Sequence, residues 1–186
     1  MKMLYAVYML YSVDIAVLLK LSLPGASKLS FQKLAEDMNL SPSEVFASVK
    51  RASVSGLLSE YARSKVVKPV ALLEFMQHGM HYAFPAELGQ PTRGIPTAYA
   101  AEPLKSVLQS SDDLPPVWPC AEGKVRGYSF APIYKHAAAA ALKDPKFYEL
   151  LALTDSLRDG RVRERKLALE ELSGRLAAYV AQPVPA

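Results

Sequence analysis

From Ser30 the apolar positions recur at helical spacing. Phe31, Leu34, Ala35 and Met38 fall on one face, and Ser30 precedes them as a cap, which predicts an amphipathic helix. Asn39 tolerates the left-handed backbone that ends such a helix, and Leu40 turns back toward the core. Ser41-Pro42-Ser43-Glu44 then opens a second helix: proline is harmless at the first helical position and an acid suits the first turn. Val45, Val49 and Ala52 face inward along it, and Gly56 followed by Leu57 and Leu58 marks its end. The next stretch, Ser59 to Val70, is short, basic and partly β-branched and reads as a small hairpin. Ala71 to Met80 is amphipathic again and stops at Gly79.

Before this block, Met3 to Leu23 is nearly continuous in its hydrophobicity, but Asp14 and Lys20 interrupt it. A charge near a bilayer centre costs ~3 kcal/mol, so a buried first helix, capped near Ser12 and ended by Pro24-Gly25, is expected in place of a span or a secretion signal. After Phe84 the texture changes. Prolines and glycines recur up to Pro132 and predict short regular elements, with a strand at Lys124 to Phe130 after a turn at Glu122-Gly123. Helical pattern returns with the alanines after His136 and continues behind the Asp144-Pro145 cap to a break at Asp159-Gly160. A charged last helix carries Leu167, Leu169, Leu172 and Leu176, and fraying is expected over the final ten residues. The expected organisation is residues 1–83, a Pro/Gly-rich connector or small lobe at 84–135, and a C-terminal helical segment at 136–186. The expected fold class is mainly α.

Composition changes this picture little. Hydrophobic residues make up 51% and charged residues 22%, as in folded domains, despite 14 prolines. A formal charge of +4 and a pI near 9.1 favour an anionic partner such as nucleic acid. Cys120 is the single cysteine, which excludes an internal disulfide and fits a reducing cytoplasm.

Two short helices around Asn39, with small Ala35 where they cross and a basic hairpin behind Gly56, resemble the winged helix-turn-helix families, among them the MarR-type bacterial regulators. The resemblance covers about residues 12–80. It implies double-stranded DNA as partner, read from the start and outer face of the second helix, hence by Ser41, Ser43, Phe46, Ala47, Lys50 and Arg51. It also implies hairpin contacts from Arg63, Lys65 and Lys68. Serines at a helix N-terminus suit phosphate, and arginine can make two bonds to guanine. Ala47, Ser48 and Glu44 depart from a strong reading surface.

Other chemistry is thin. Thr92-Arg93-Gly94 has the makings of an anion-binding loop, although such loops more often simply carry the chain. His78 and His81 lack further ligands, so no metal or cofactor is expected. Cys120 has no sequence-local base and is expected to be buried beside Trp118. Asp112 and Asp113 form an ordinary loop, and no nucleotide-binding fingerprint occurs, so an enzyme is not expected. The expectation is a cytoplasmic DNA-binding regulator, a repressor acting as a homodimer, its last helix a candidate dimer seam. The alternative is a protein-interaction module, antitoxin-like, gripping another chain with Arg93, Tyr99, Trp118 and Tyr128.

Overall fold

The computed structural model describes residues 9–61, 64–108 and 113–181. The described residues begin with the helices α1 (Ser12–Leu21), α2 (Phe31–Met38) and α3 (Pro42–Val54). Their ends follow the local chemistry. The Ser30 hydroxyl accepts from the Lys33 amide, Asn39 takes φ 53°, and Ser41 and Glu44 form a reciprocal capping box. Gly25 and Gly56, at φ 78° and 77°, turn the chain after α1 and α3 in a conformation costly for other residues. An antiparallel hairpin of β1 (Leu58–Tyr61) and β2 (Ser64–Val67) follows, then α4 (Pro69–His78) and the single turn α5 (Met80–Ala83).

The middle of the chain overturns the mainly α expectation. Strands β3 (Leu88–Pro96), β4 (Pro116–Pro119) and β5 (Val125–Phe130) close into a three-stranded barrel, with the short α6 (Leu104–Val107) between the first two. Of the described residues 57% are helical and 16% lie in strands, so the chain is α/β and is not a mainly α winged helix. The nine-residue β3 was hidden by its prolines. Pro91 sits beside a register shift against β5, where a missing N–H does the least harm, and Pro96 is the last residue of the strand. Three glycines make closure possible. A methyl group at Gly94 would lie 2.1 Å from the Trp118 carbonyl oxygen, and one at Gly127 would lie 2.0 Å from that of Pro115. At Gly123 it would meet the Gly94 backbone at 2.3 Å, so backbones touch where any side chain would hold them apart.

The C-terminal helices are α7 (Ala137–Ala141), α8 (Pro145–Asp159) and α9 (Val162–Ala181). Helix α9 takes in the first five of the ten residues expected to fray, up to Ala181, and residues 182–186 lie outside the described residues. One hydrophobic core joins the parts: Leu18 and Leu19 of α1, Val49 of α3, Trp118 of β4, Leu150 of α8 and Leu172 of α9 belong to it. Ala168, Leu172 and Leu176 are buried in this core, so two of the four leucines considered above as a dimer seam are used internally, while Leu167 and Leu169 stay half-buried. Helix α8 is buried along most of its length and carries the polar node that docks the barrel. Asp155, fully buried, accepts from the Thr97 hydroxyl (2.8 Å), the Trp118 indole (2.6 Å) and Arg158 Nη1 (2.7 Å). Arg158 also donates to the carbonyls of Phe84 and Ala131, each at 2.8 Å, tying down the loop before β3 and the segment after β5.

Of the apolar N-terminal stretch, residues 3–8 lie outside the described residues, and Ser12–Leu21 folds as the buried α1. Among the described residues no helix is long and apolar enough to cross a membrane. The two charges that interrupt it are both used. Lys20 donates to Asp144 at 2.7 Å and lies 3.5 Å from Asp37, joining α1 to the N-cap of α8 and the last turn of α2. Burial alone would raise the Asp144 carboxyl, but the Lys20 ammonium and the Phe147 amide outweigh it and hold it below its ordinary 3.8. A carboxyl depressed in the folded state contributes stability above its unfolded pKa, and that contribution disappears as pH falls through the folded value. Asp144→Asn keeps a capping side chain and loses the charge. Its thermal midpoint is expected to fall less steeply than that of the wild type as pH drops below 4, read by circular dichroism melts; parallel slopes would count against this role.

Candidate nucleic-acid interface

Helix α3 is held from beneath before it presents anything outward. Val45, Ser48, Val49 and Ala52 are buried, at the spacing that puts them on one side of the helix. The anchor is polar as well as apolar. Asp14, fully buried on α1, receives Arg51 Nε at 2.7 Å and Nη2 at 2.6 Å in a two-pronged pair, and the Ser48 hydroxyl at 2.5 Å. Its second oxygen also accepts the Tyr11 amide at 2.9 Å, which caps α1. The guanidinium carbon of Arg51 stands 4.7 Å from the Tyr11 ring centre. Its own proton is held more tightly than usual, first by the bond to Asp14. Arg51 is therefore occupied inside the protein, where the resemblance had implied a base-reading side chain.

The outward face carries Ser43, Phe46 and Lys50, all exposed, with Ala47 half-buried between them. Ser41 sits at the cap, its hydroxyl shared with Glu44 and Ser43. Phe46 meets Phe31 of α2 edge to face at 5.4 Å. Lys50 bonds Glu60 of β1 at 2.8 Å and lies 5.5 Å from the Phe46 ring centre, so its charge is partly answered. Lys65 is buried, its ammonium 4.9 Å from the Phe31 ring centre, and burial pulls its pKa down. Lys68 is exposed where β2 meets α4, and Arg63 lies outside the described residues. Ser41, Ser43, Phe46, Ala47 and Lys50 thus share a surface; Arg51 and Lys65 are drawn inward.

The fold adds groups that the local reading missed. Exposed Lys135 and half-buried His136 precede α7, and their charges reach Glu44 at the start of α3. Glu44 is held below its ordinary value mainly by Ser41 and to a lesser degree by these two. Lys143, exposed after α7, donates to the Asn39 side chain at 2.9 Å, at the turn between α2 and α3. Nothing near Asn39 in the sequence signals three basic residues about a hundred positions downstream. They make the N-terminal end of α3 more attractive to an anion than Ser41 to Glu44 alone would be.

The residues expected to grip another chain divide. Trp118 is fully buried and braces Asp155, so it is not a surface anchor. Tyr99 is half-buried, and Arg93 and Tyr128 are exposed on the barrel. Cys120 is only half-buried; its thiol donates to Glu122 at 3.0 Å, and this bond, with burial, pushes its pKa up, away from nucleophilic use. His81 binds the Arg158 carbonyl through Nδ1 at 2.7 Å. Among the described residues no three of His, Cys, Asp or Glu stand together as a metal site.

No protein-family model, curated protein or solved structure matches this chain. Nothing in these comparisons identifies the chain as a MarR-type regulator.

Proposed function

We propose that this protein is a cytoplasmic DNA-binding regulator that sets α3 into the major groove. The reading is carried by the solvent-facing side of α3, where Ser43, Ala47 and Lys50 stand free of the core while Asp14 fixes the helix from behind. Ser43 offers a hydroxyl to phosphate, Lys50 supplies charge once Glu60 is displaced, and Lys135, Lys143 and Lys68 extend the positive rim. Arg51 holds the helix in place and reads no base. Repression would follow from occlusion of a promoter by the bound protein, two copies being expected on a palindromic site.

A salt titration of purified full-length protein on labelled genomic duplexes tests this. Binding is expected to weaken with salt, and Lys50→Ala to lower the slope of log affinity against log salt by about 1. The exposed Lys50–Glu60 pair contributes at most about 1 kcal/mol to stability, so this variant stays folded. Wild-type protein that leaves duplex DNA unbound at low salt, or a variant of identical slope, would sink the proposal.

One observation favours a second reading, a protein-binding α3. Phe46 and Val54 are 48% and 51% exposed on this helix, costly to leave in water and of little use in a polar groove. Under that reading Phe46→Ser would lose a co-purifying protein, and DNA would be bound by neither form.

A further inference from the structure

The antiparallel register of β3 and β5 places Arg93 directly opposite Arg126 and Pro91 opposite Tyr128. Directly opposed residues point to the same side of a sheet, so the two arginine side chains leave the barrel side by side. Both are exposed, as is Lys124 two residues before Arg126, and Tyr128 is 38% exposed beside them. Like charges in direct opposition weaken a strand pair unless something answers them. Among the described residues no carboxylate forms an ion pair with Arg93, Lys124 or Arg126. The pair also sits where the strands pack closely on β4. Gly94 and Gly127, the neighbours of the two arginines, lie closely against the backbone of β4 and of the residue before it.

We infer that the Arg93–Arg126 face of the barrel is a second phosphate-binding surface, which takes the sugar-phosphate backbone of the same nucleic acid that α3 reads. Two adjacent guanidiniums suit a phosphodiester, whose two free oxygens accept paired N–H donors, and they relieve their mutual repulsion by sharing one anion. Tyr128 adds a hydroxyl for a neighbouring phosphate and an aromatic face for a sugar or an unstacked base. Lys124, just before β5, extends the charge beyond the strand. An acidic protein segment would satisfy the arginines but gives Tyr128 no comparable task, and the basic pI of the whole chain agrees with a polyanion. This surface rests on the DNA-binding reading above and widens the footprint beyond α3.

The test uses the full chain and the same labelled duplexes, comparing wild type with Arg93→Ala/Arg126→Ala and with Arg93→Lys/Arg126→Lys. The alanine pair is expected to lower the salt slope by about 2, the lysine pair to retain it, and a single-stranded oligonucleotide to lose affinity in parallel. Since removing two exposed like charges relieves repulsion, the alanine variant is expected to melt no earlier than the wild type, which separates lost contact from lost fold. A wild-type slope in the alanine variant, with Lys50→Ala still impaired, would overturn this surface and leave the α3 reading standing. Polyglutamate competing as strongly as DNA of equal charge would overturn its assignment to nucleic acid. Failure of the wild type to bind either form of DNA would remove both.

Discussion

Asp14→Ala is expected to lower the unfolding free energy by about 3–5 kcal/mol, a large share of what a domain of this size possesses. The substitution leaves the Arg51 guanidinium half-buried without its partner, strips the Ser48 hydroxyl of its acceptor and removes the acceptor for the Tyr11 amide. Arg51→Ala should cost less, since Ser48 and the Tyr11 amide still answer the remaining carboxylate. Chemical denaturation of both single variants and the double variant measures the coupling between the pair. A loss under about 1 kcal/mol for Asp14→Ala would mean that the pair behaves as a surface ion pair and does not anchor α3. The same experiment bears on function. Any loss of DNA binding in an Arg51 variant would first reflect a displaced α3, so Lys50, outside this network, is the informative position.

Asp155→Ala should be comparably damaging, again about 3–5 kcal/mol, because three donors converge on that carboxylate and one of them is a buried guanidinium. Thr97, Trp118 and Arg158 come from the segment after β3, from β4 and from α8, so the loss falls on the joint between barrel and helices. Trp118 is the only tryptophan in the chain and is fully buried, which makes its fluorescence a direct report on that joint. A lowered thermal midpoint with red-shifted emission is the expected result. Asp155→Asn, which keeps two acceptor lone pairs and loses the charge that balances Arg158, should fall between the two. An alanine variant with native emission and an unshifted midpoint would show that packing alone docks the barrel.

The helical half of the chain was legible because its signals are local. Ser30, Asn39, the Ser41–Glu44 box, Gly56 and Asp144-Pro145 each satisfy or break backbone hydrogen bonds within four residues, and all of them act in the structure as their chemistry dictates. Of the barrel only β5 was legible, as the strand expected at Lys124 to Phe130; β3, β4 and the closure were not. Its strands gain their hydrogen bonds from partners up to about forty residues away, and prolines at 91, 96, 116 and 119 mask the alternation by which a strand is recognised. What reads as a run of chain breakers is a sheet in which Gly94, Gly123 and Gly127 allow backbones to touch.

The candidate site divides along the same line. The apolar period of α3 determined which side of that helix faces the core, and hence that Ser43 and Lys50 face out. Sequence could not decide that Arg51, at the edge of the outer face, would fold back onto Asp14, thirty-seven residues earlier, because an ion pair of that span exists only once α1 and α3 have packed. Nor could it bring Lys135, His136 and Lys143 to the turn around Asn39, or set Arg93 against Arg126. Local sequence fixes caps, turns and the buried face of each helix through short-range hydrogen bonding and hydrophobic period. Which charges are spent inside the molecule, and which remain to meet a partner, is decided only when distant elements pack and leave some of those charges without an internal counterpart.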